Sequence, residues 1–262
     1  MITEQIKATS WHHAKEIESI MTKCRENLDI QALFLIGGTD AGSWDDHSGI
    51  EVAAIVTRDF YEQKMKEGNT DEVVFDICTY EGGLFNIFYM TPEDLEVIAL
   101  WGTEPMRNLF LNAQVLYCDE PDYIRIVSQI PIFQVDDAAE KQNRYYCTMK
   151  KFHLYYWKNL QPNGYMKLHI ANGIIYHLYR LILLENEVLY PSARKLEDFV
   201  SRIANKPTGI IEKCHHLIAK IFEATDADIA ELIHAYEQWT TFDYPKDKQV
   251  IMRNFINPFE WE

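Results

Sequence analysis

The sequence predicts an α/β (α+β) protein built as two domains, a mixed-sheet domain over residues 1–134 and an all-helical bundle domain over residues 135–262. Three observations carry this reading. Short apolar runs broken by Gly, Asp and Pro recur as far as Cys118, which is the punctuation of strands and turns. Those signals stop near Val135-Asp136-Asp137. Beyond that point apolar residues recur at three-four spacing over long stretches, the period of helices. A chain of 262 residues is long enough for one large or two small domains.

The elements follow in order. Ser10 can cap a helix whose positions Ala14, Ile17, Ile20, Met21, Cys24 and Leu28 form one apolar face. Leu33 to Ile36 reads as a buried strand, and a second strand resumes at Ile50. Asp59 to Gly68 is charged and reads as a helix or a loose connection. Residues 72–80 and 84–90 read as two strands joined in a hairpin at Gly82-Gly83. Thr91-Pro92-Glu93-Asp94 is a helix start, with a cap, a proline in the first turn and acids at the positive end of the helix dipole. Residues 113–118 are a further strand, ended by Asp119-Glu120-Pro121. Helices then span 138–160, with Tyr145, Tyr146, Phe152, Tyr155, Tyr156 and Trp157, and 164–185, nearly apolar throughout. Shorter helices are expected near 192–204, 207–223 and 226–240, completing a bundle.

Composition narrows the function classes. The net charge of −15 argues against a nucleic-acid surface, which needs clustered Lys and Arg to grip phosphates. A cationic small molecule is compatible with that charge. Cys24, Cys78, Cys118, Cys147 and Cys214 are scattered and form no CxxC, as expected of reduced thiols in a cytoplasmic protein. The N-terminal stretch lacks the apolar core of a signal peptide, and no segment approaches the ~18–20 apolar residues of a membrane span.

The most informative segment is residues 33–56, LFLIGGTDAGSWDDHSGIEVAAIV. A strand breaks at Gly37-Gly38, where the backbone can turn sharply and approach a ligand. A polar loop follows, and a second strand opens with Glu51 just inside it. This arrangement resembles the nucleotidyltransferase superfamily, whose loop reads roughly Gly-Ser…Gly…Ser-Asp-x-Asp. Gly37-Gly38 falls on Gly-Ser, Gly42 on the mid-loop glycine, and Ser48-Gly49-Ile50-Glu51 on Ser-Asp-x-Asp. The C-terminal half strengthens the resemblance. Residues 178–199, with Tyr190-Pro191 and Lys195, are similar to a stretch of the helical bundle of antibiotic nucleotidyltransferases, which modify aminoglycosides or lincosamides.

The resemblance implies a reaction with little covalent work for the protein: a hydroxyl attacks the α-phosphate of a nucleoside triphosphate, and Mg²⁺ neutralises charge. It implies phosphate contacts at Gly37, Gly38, Thr39 and Ser48, from glycine-turn amides and a helix start. Metal-binding carboxylates should stand one residue apart on a strand. Here Glu51 keeps one and Gly49 replaces the other, and loop residues Asp45 and Asp46 are possible substitutes. A third acid belongs on a neighbouring strand. That position is Asn86 if the strand leading into Thr91-Pro92 supplies it, or Asp76 if the preceding strand does, leaving Glu51 and Asp76 as candidate catalytic groups. Asn86 can ligate weakly and cannot act as a base.

Two readings therefore stand. One is an antibiotic-modifying-like nucleotidyltransferase with a degenerate active site, moving a nucleotide weakly or not at all to a small-molecule acceptor. The other is a non-catalytic module on the same fold that binds a nucleotide, a small molecule or a partner. Neither involves nucleic acid or a membrane. Further candidates are weaker. His12-His13 and Cys214-His215-His216 are neighbours on helices, pointing about 100° apart, and cannot converge on one ion. His169 and His177 read as core histidines, and Glu185 and Glu187 as surface acids or contacts for a cationic substrate. The aromatic set from Tyr145 to Trp157 is mainly core, with ring faces able to stack on a base or sugar.

Overall fold

The structure, a computed structural model, describes residues 11–37, 49–75, 77–79, 81–159 and 162–254. The chain divides into two compact units, Met1–Ile132 and Phe133–Glu262. Their charges differ sharply. The first has 9 Lys and Arg against 23 Asp and Glu, a net −14, whereas the second has 16 against 17.

The first unit contains α1 (Trp11–Arg25), β1 (Ile30–Ile36), β2 (Ile50–Val56), α2 (Arg58–Glu67), β3 (Asp71–Val74), β4 (Phe85–Met90), α3 (Pro92–Trp101), α4 (Glu104–Leu109), β5 (Gln114–Cys118) and α5 (Pro121–Gln129). The five strands form one mixed sheet in the order β3-β4-β2-β1-β5. β2 and β4 are parallel and the other neighbours antiparallel. β2 is apolar at every position except Glu51 because both of its faces are covered. Alternation sends Val52, Ala54, Leu33 and Leu35 to the face packed on Ile17 and Ile20 of α1. Ala53, Ile55, Phe34 and Ile36 go to the other face, under Leu95, Ile126 and Val127.

The caps explain the helix boundaries. Thr57 accepts from the Phe60 N–H at the start of α2, and Gly68 closes that helix in the left-handed region at φ 69°. α3 opens with a full capping box between Thr91 and Asp94, with Pro92 in its first turn. The strand expected over 72–80 ends at Val74. β3 and β4 are antiparallel as expected, with Val74 paired to Phe85, but the whole of 75–84 forms the connection instead of a tight turn at Gly82-Gly83. The physical reason is Glu16. Buried on α1, its carboxylate accepts from both the backbone N–H and the hydroxyl of Thr79, drawing the connection off the sheet line and onto the helix. α4 and α5 add helices beyond the sequence pattern. Pro121 at the head of α5, with Ile126, Val127 and Ile130 turned inward, is the signal that marks the second of them.

The second unit is helical among the described residues: α6 (Ala138–Lys151), a π-helical turn at Phe152–Trp157, α7 (Gly164–Glu185), α8 (Leu196–Arg202), α9 (Ile210–Ala219), α10 (Asp226–Trp239) and α11 (Lys248–Asn254). The expected helix over 138–160 is thus α-helical only to Lys151. Its widening coincides with Phe152, whose ring fills the notch at Gly173 of α7, where a Cβ would stand 2.5 Å from the ring. No described helix is long and apolar enough to cross a membrane.

His177, one turn beyond that notch, is buried and donates from Nδ1 to the Gly173 carbonyl at 2.6 Å. Burial pushes its pKa down from 6.5 to about 4. The unfolded chain takes up this proton near pH 6.5, while the folded chain resists it down to about 4. Its contribution to stability is therefore complete above pH 6.5 and is lost as pH falls toward 4. Between pH 7 and pH 5 the loss is expected to be about 2 kcal/mol. His153, also buried and lowered chiefly by desolvation, acts in the same sense. Urea titrations at the two pH values check this, since His177→Phe should flatten the difference by that amount. An unchanged pH dependence would exclude His177 as its source.

Candidate active-site strand pair

β2 is the middle strand of five, and Glu51 is its second residue. Across the antiparallel pair it faces Ile36, the last residue of β1, and across the parallel pair it stands beside Asn86 of β4. Neighbours in register on parallel strands point to the same face, so the Glu51 carboxylate and the Asn86 amide share one surface of the sheet. Both residues are half-buried. Of the two candidates for the third acid, Asn86 occupies the strand beside Glu51. Asp76 lies outside the described residues.

Gly37 follows β1 directly and is built into this corner twice over. Its φ of 85° lies in the left-handed region. A Cβ there would also overlap the Glu51 oxygen Oε2 and stand 2.7 Å from Cδ and 2.8 Å from Cβ of the same side chain. The Glu51 side chain thus lies against bare backbone, which only glycine offers. The Gly37 N–H is engaged, donating to the Leu109 carbonyl at 2.8 Å. Of the residues expected to contact phosphate, Gly38, Thr39 and Ser48 lie outside the described residues, and the amide at Gly37 is committed within the protein. Nothing in the sequence marks Leu109 as its partner, because α4 reaches the end of β1 only through the fold.

Gly49 precedes β2. A Cβ there would stand 2.7 Å from Leu84 Cδ1, and the Ile50 N–H donates to the Leu84 carbonyl at 2.9 Å. Leu84 therefore covers the position where the resemblance would place a first acid, which sequence reasoning did not anticipate. A Mg²⁺ pair needs several oxygen ligands converging on one point. Here Gly49 has no side chain, Asn86 is neutral, and the Glu51 carboxylate is folded against Gly37. Among the described residues no three His, Cys, Asp or Glu side chains are grouped to hold a metal ion. The described residues do not fit the metal pair that the resemblance implies. Asp45 and Asp46 lie outside them.

This geometry refines a repair. Gly49→Asp with Asn86→Asp places two acids beside Glu51, but the first must displace Leu84. Adding Leu84→Ala should therefore be required for full effect. The triple variant is expected to melt below the parent without metal, from like-charge repulsion, and to gain stability on adding Mg²⁺ by mass action. Thermal melts with and without Mg²⁺ decide it, and the absence of any metal-dependent shift would reject the alignment of 49 and 86 with the metal positions.

Glu185 and His169, among the candidates in the helical unit, have structural partners. Glu185 accepts from the Tyr236 hydroxyl at 3.2 Å and from the Thr240 hydroxyl, tying α7 to the end of α10. Glu187 sits at φ 52° just past α7. The His169 ring lies 6.0 Å from Phe152 and is stacked at 6.4 Å on Tyr165. Arg180 is buried, with Tyr190 and Tyr145 ring centroids 3.9 and 4.8 Å from its guanidinium and a 2.8 Å bond to the Tyr145 hydroxyl. Lys151 lies near the Tyr155 and Tyr156 rings, and desolvation lowers its pKa. The aromatic set is thus core plus a cradle for two cations, and the cations are what the sequence pattern did not single out.

No protein-family profile matches the chain, and no curated protein matches it in sequence. A solved structure of a nucleotidyltransferase-like protein from Exiguobacterium sibiricum aligns over 87% of this chain and 74% of its own, at 10% identity and a TM-score of 0.43. A likeness so distant carries no functional inference.

Proposed function

We propose that this chain is a nucleotidyltransferase-fold protein, related in plan to the antibiotic-modifying enzymes, whose transfer of a nucleotide to a small-molecule hydroxyl has fallen to near background. The observation that carries the reading is the pairing of Glu51 with Asn86 at the centre of a mixed sheet, with Gly37 lying against the Glu51 side chain. This pairing supports the reading because the resemblance expects acids on such a strand pair, with an amide here where a carboxylate would serve as metal ligand or base. Two further observations weaken nucleotide binding and transfer alike: the committed Gly37 amide and the Leu84 side chain over Gly49. Charge acts in the same direction. A triphosphate approaching a unit of net −14 meets an unfavourable field, which a few hydrogen bonds of ~1–3 kcal/mol each barely offset.

Calorimetry with ATP, with and without Mg²⁺, tests the proposal. The expected affinity is on the order of 0.1–1 mM at best, with little dependence on metal. Low-micromolar binding that requires Mg²⁺, or pyrophosphate release with an aminoglycoside or lincosamide acceptor, would restore the reading of a competent enzyme.

A further inference from the structure

One face of α3 is exposed along its whole length. Glu93 and Glu96 occupy its first half, and Val97, Leu100 and Trp101, spaced at three and four residues, continue the same stripe. Val97 is 56%, Leu100 64% and Trp101 81% exposed, while Leu95 on the opposite side is buried in the sheet unit. Ile132, 57% exposed, belongs to the same corner, since Arg107 bonds both the Ala99 and Ile132 carbonyls. Apolar side chains of this size gathered at one helix end, with a tryptophan most exposed, are the composition of an interface centre.

Charge selects the occupant. The exposed stripe pairs its apolar half with two acids, α3 contains no basic residue, and the unit around it is at net −14. A second copy of the same face would bring like charges together. We propose that this stripe is a docking surface for a basic amphipathic helix of another protein. Its apolar positions would cover Val97 and Trp101, and its Lys or Arg would lie along Glu93 and Glu96. The proposal is independent of the reading of the strand pair.

The test uses the full chain and two synthetic 18-residue amphipathic helices of the same pattern, one Leu/Lys and one Leu/Glu. Amide NMR should show the Leu/Lys peptide shifting residues 93–101 and 132, more weakly at high salt, while the Leu/Glu peptide binds much less. Val97→Ala with Trp101→Ala, both at exposed positions, should weaken that binding at least about tenfold. Glu93→Lys with Glu96→Lys should reverse the preference between the peptides. Shifts mapping elsewhere, or full binding by the alanine variant, would overturn the proposal. So would Trp101-dependent self-association in sedimentation, which would make the occupant a second copy, or Trp101-dependent capture by anionic lipid vesicles.

Discussion

Gly37→Ala is expected to cost about 2–5 kcal/mol, enough to unfold much of the sheet unit, because two penalties fall on one methyl group. A non-glycine residue at φ 85° is strained by about 1–2 kcal/mol. The methyl group must also displace the Glu51 side chain at the centre of the sheet, an overpacking cost of about 1–3 kcal/mol. The two parts separate experimentally. Glu51→Gly removes the three atoms nearest the new Cβ, so Gly37→Ala made in that background should cost little more than the backbone strain. Urea unfolding of the four proteins of this cycle should give a coupling energy of at least 1 kcal/mol. Additive effects would mean that Glu51 does not lie against Gly37.

Arg107→Ala is expected to be equally severe. Arg107 is 2% exposed and donates to four carbonyls: Ala99 at 2.7 Å, Ile130 at 2.9 Å, Gly102 at 3.0 Å and Ile132 at 3.4 Å. It therefore caps the end of α3 and ties it to the residues that follow α5. Three of these carbonyls, Ala99, Gly102 and Ile130, lie at helix ends that their own helices cannot satisfy. Truncation leaves the Ile130 carbonyl without its buried donor and the three others without a part-buried one, at about 3–5 kcal/mol. Arg107→Lys should recover less than half of the loss, because an ammonium has three donors and no planar fork. Rescue by lysine to near the parent stability would reduce the role of Arg107 to its charge.

The sequence made some of this legible for definite reasons. Thr91-Pro92-Glu93-Asp94 fixes where α3 begins, and the strand leading into it then runs backward to place Asn86 beside Glu51. Gly37 after an apolar run marks where β1 ends, since few other residues permit a φ of 85°. The change from sheet to helix was readable because strands and helices impose different apolar periods. What escaped was long-range. The Glu16 carboxylate that draws Thr79 off the sheet line looks in sequence like any acid on an amphipathic helix. Arg107 carries no local sign of its four carbonyls. The π-helical turn coincides with Phe152 meeting Gly173, a fit between two helices that neither pattern contains.

The pairing of β1 with β5 has a consequence for the making of this protein. Ala32 stands opposite the strand residue Cys118 across the sheet, so one flank of β1 is closed by a segment synthesised long after it. At a ribosomal rate of ~5–20 residues per second, that delay is roughly 4–17 s. Throughout it, a strand with an almost wholly apolar sequence has its backbone donors and acceptors open on that side. During translation this flank of β1 stays an open strand edge until β5 has been made and can pair with it.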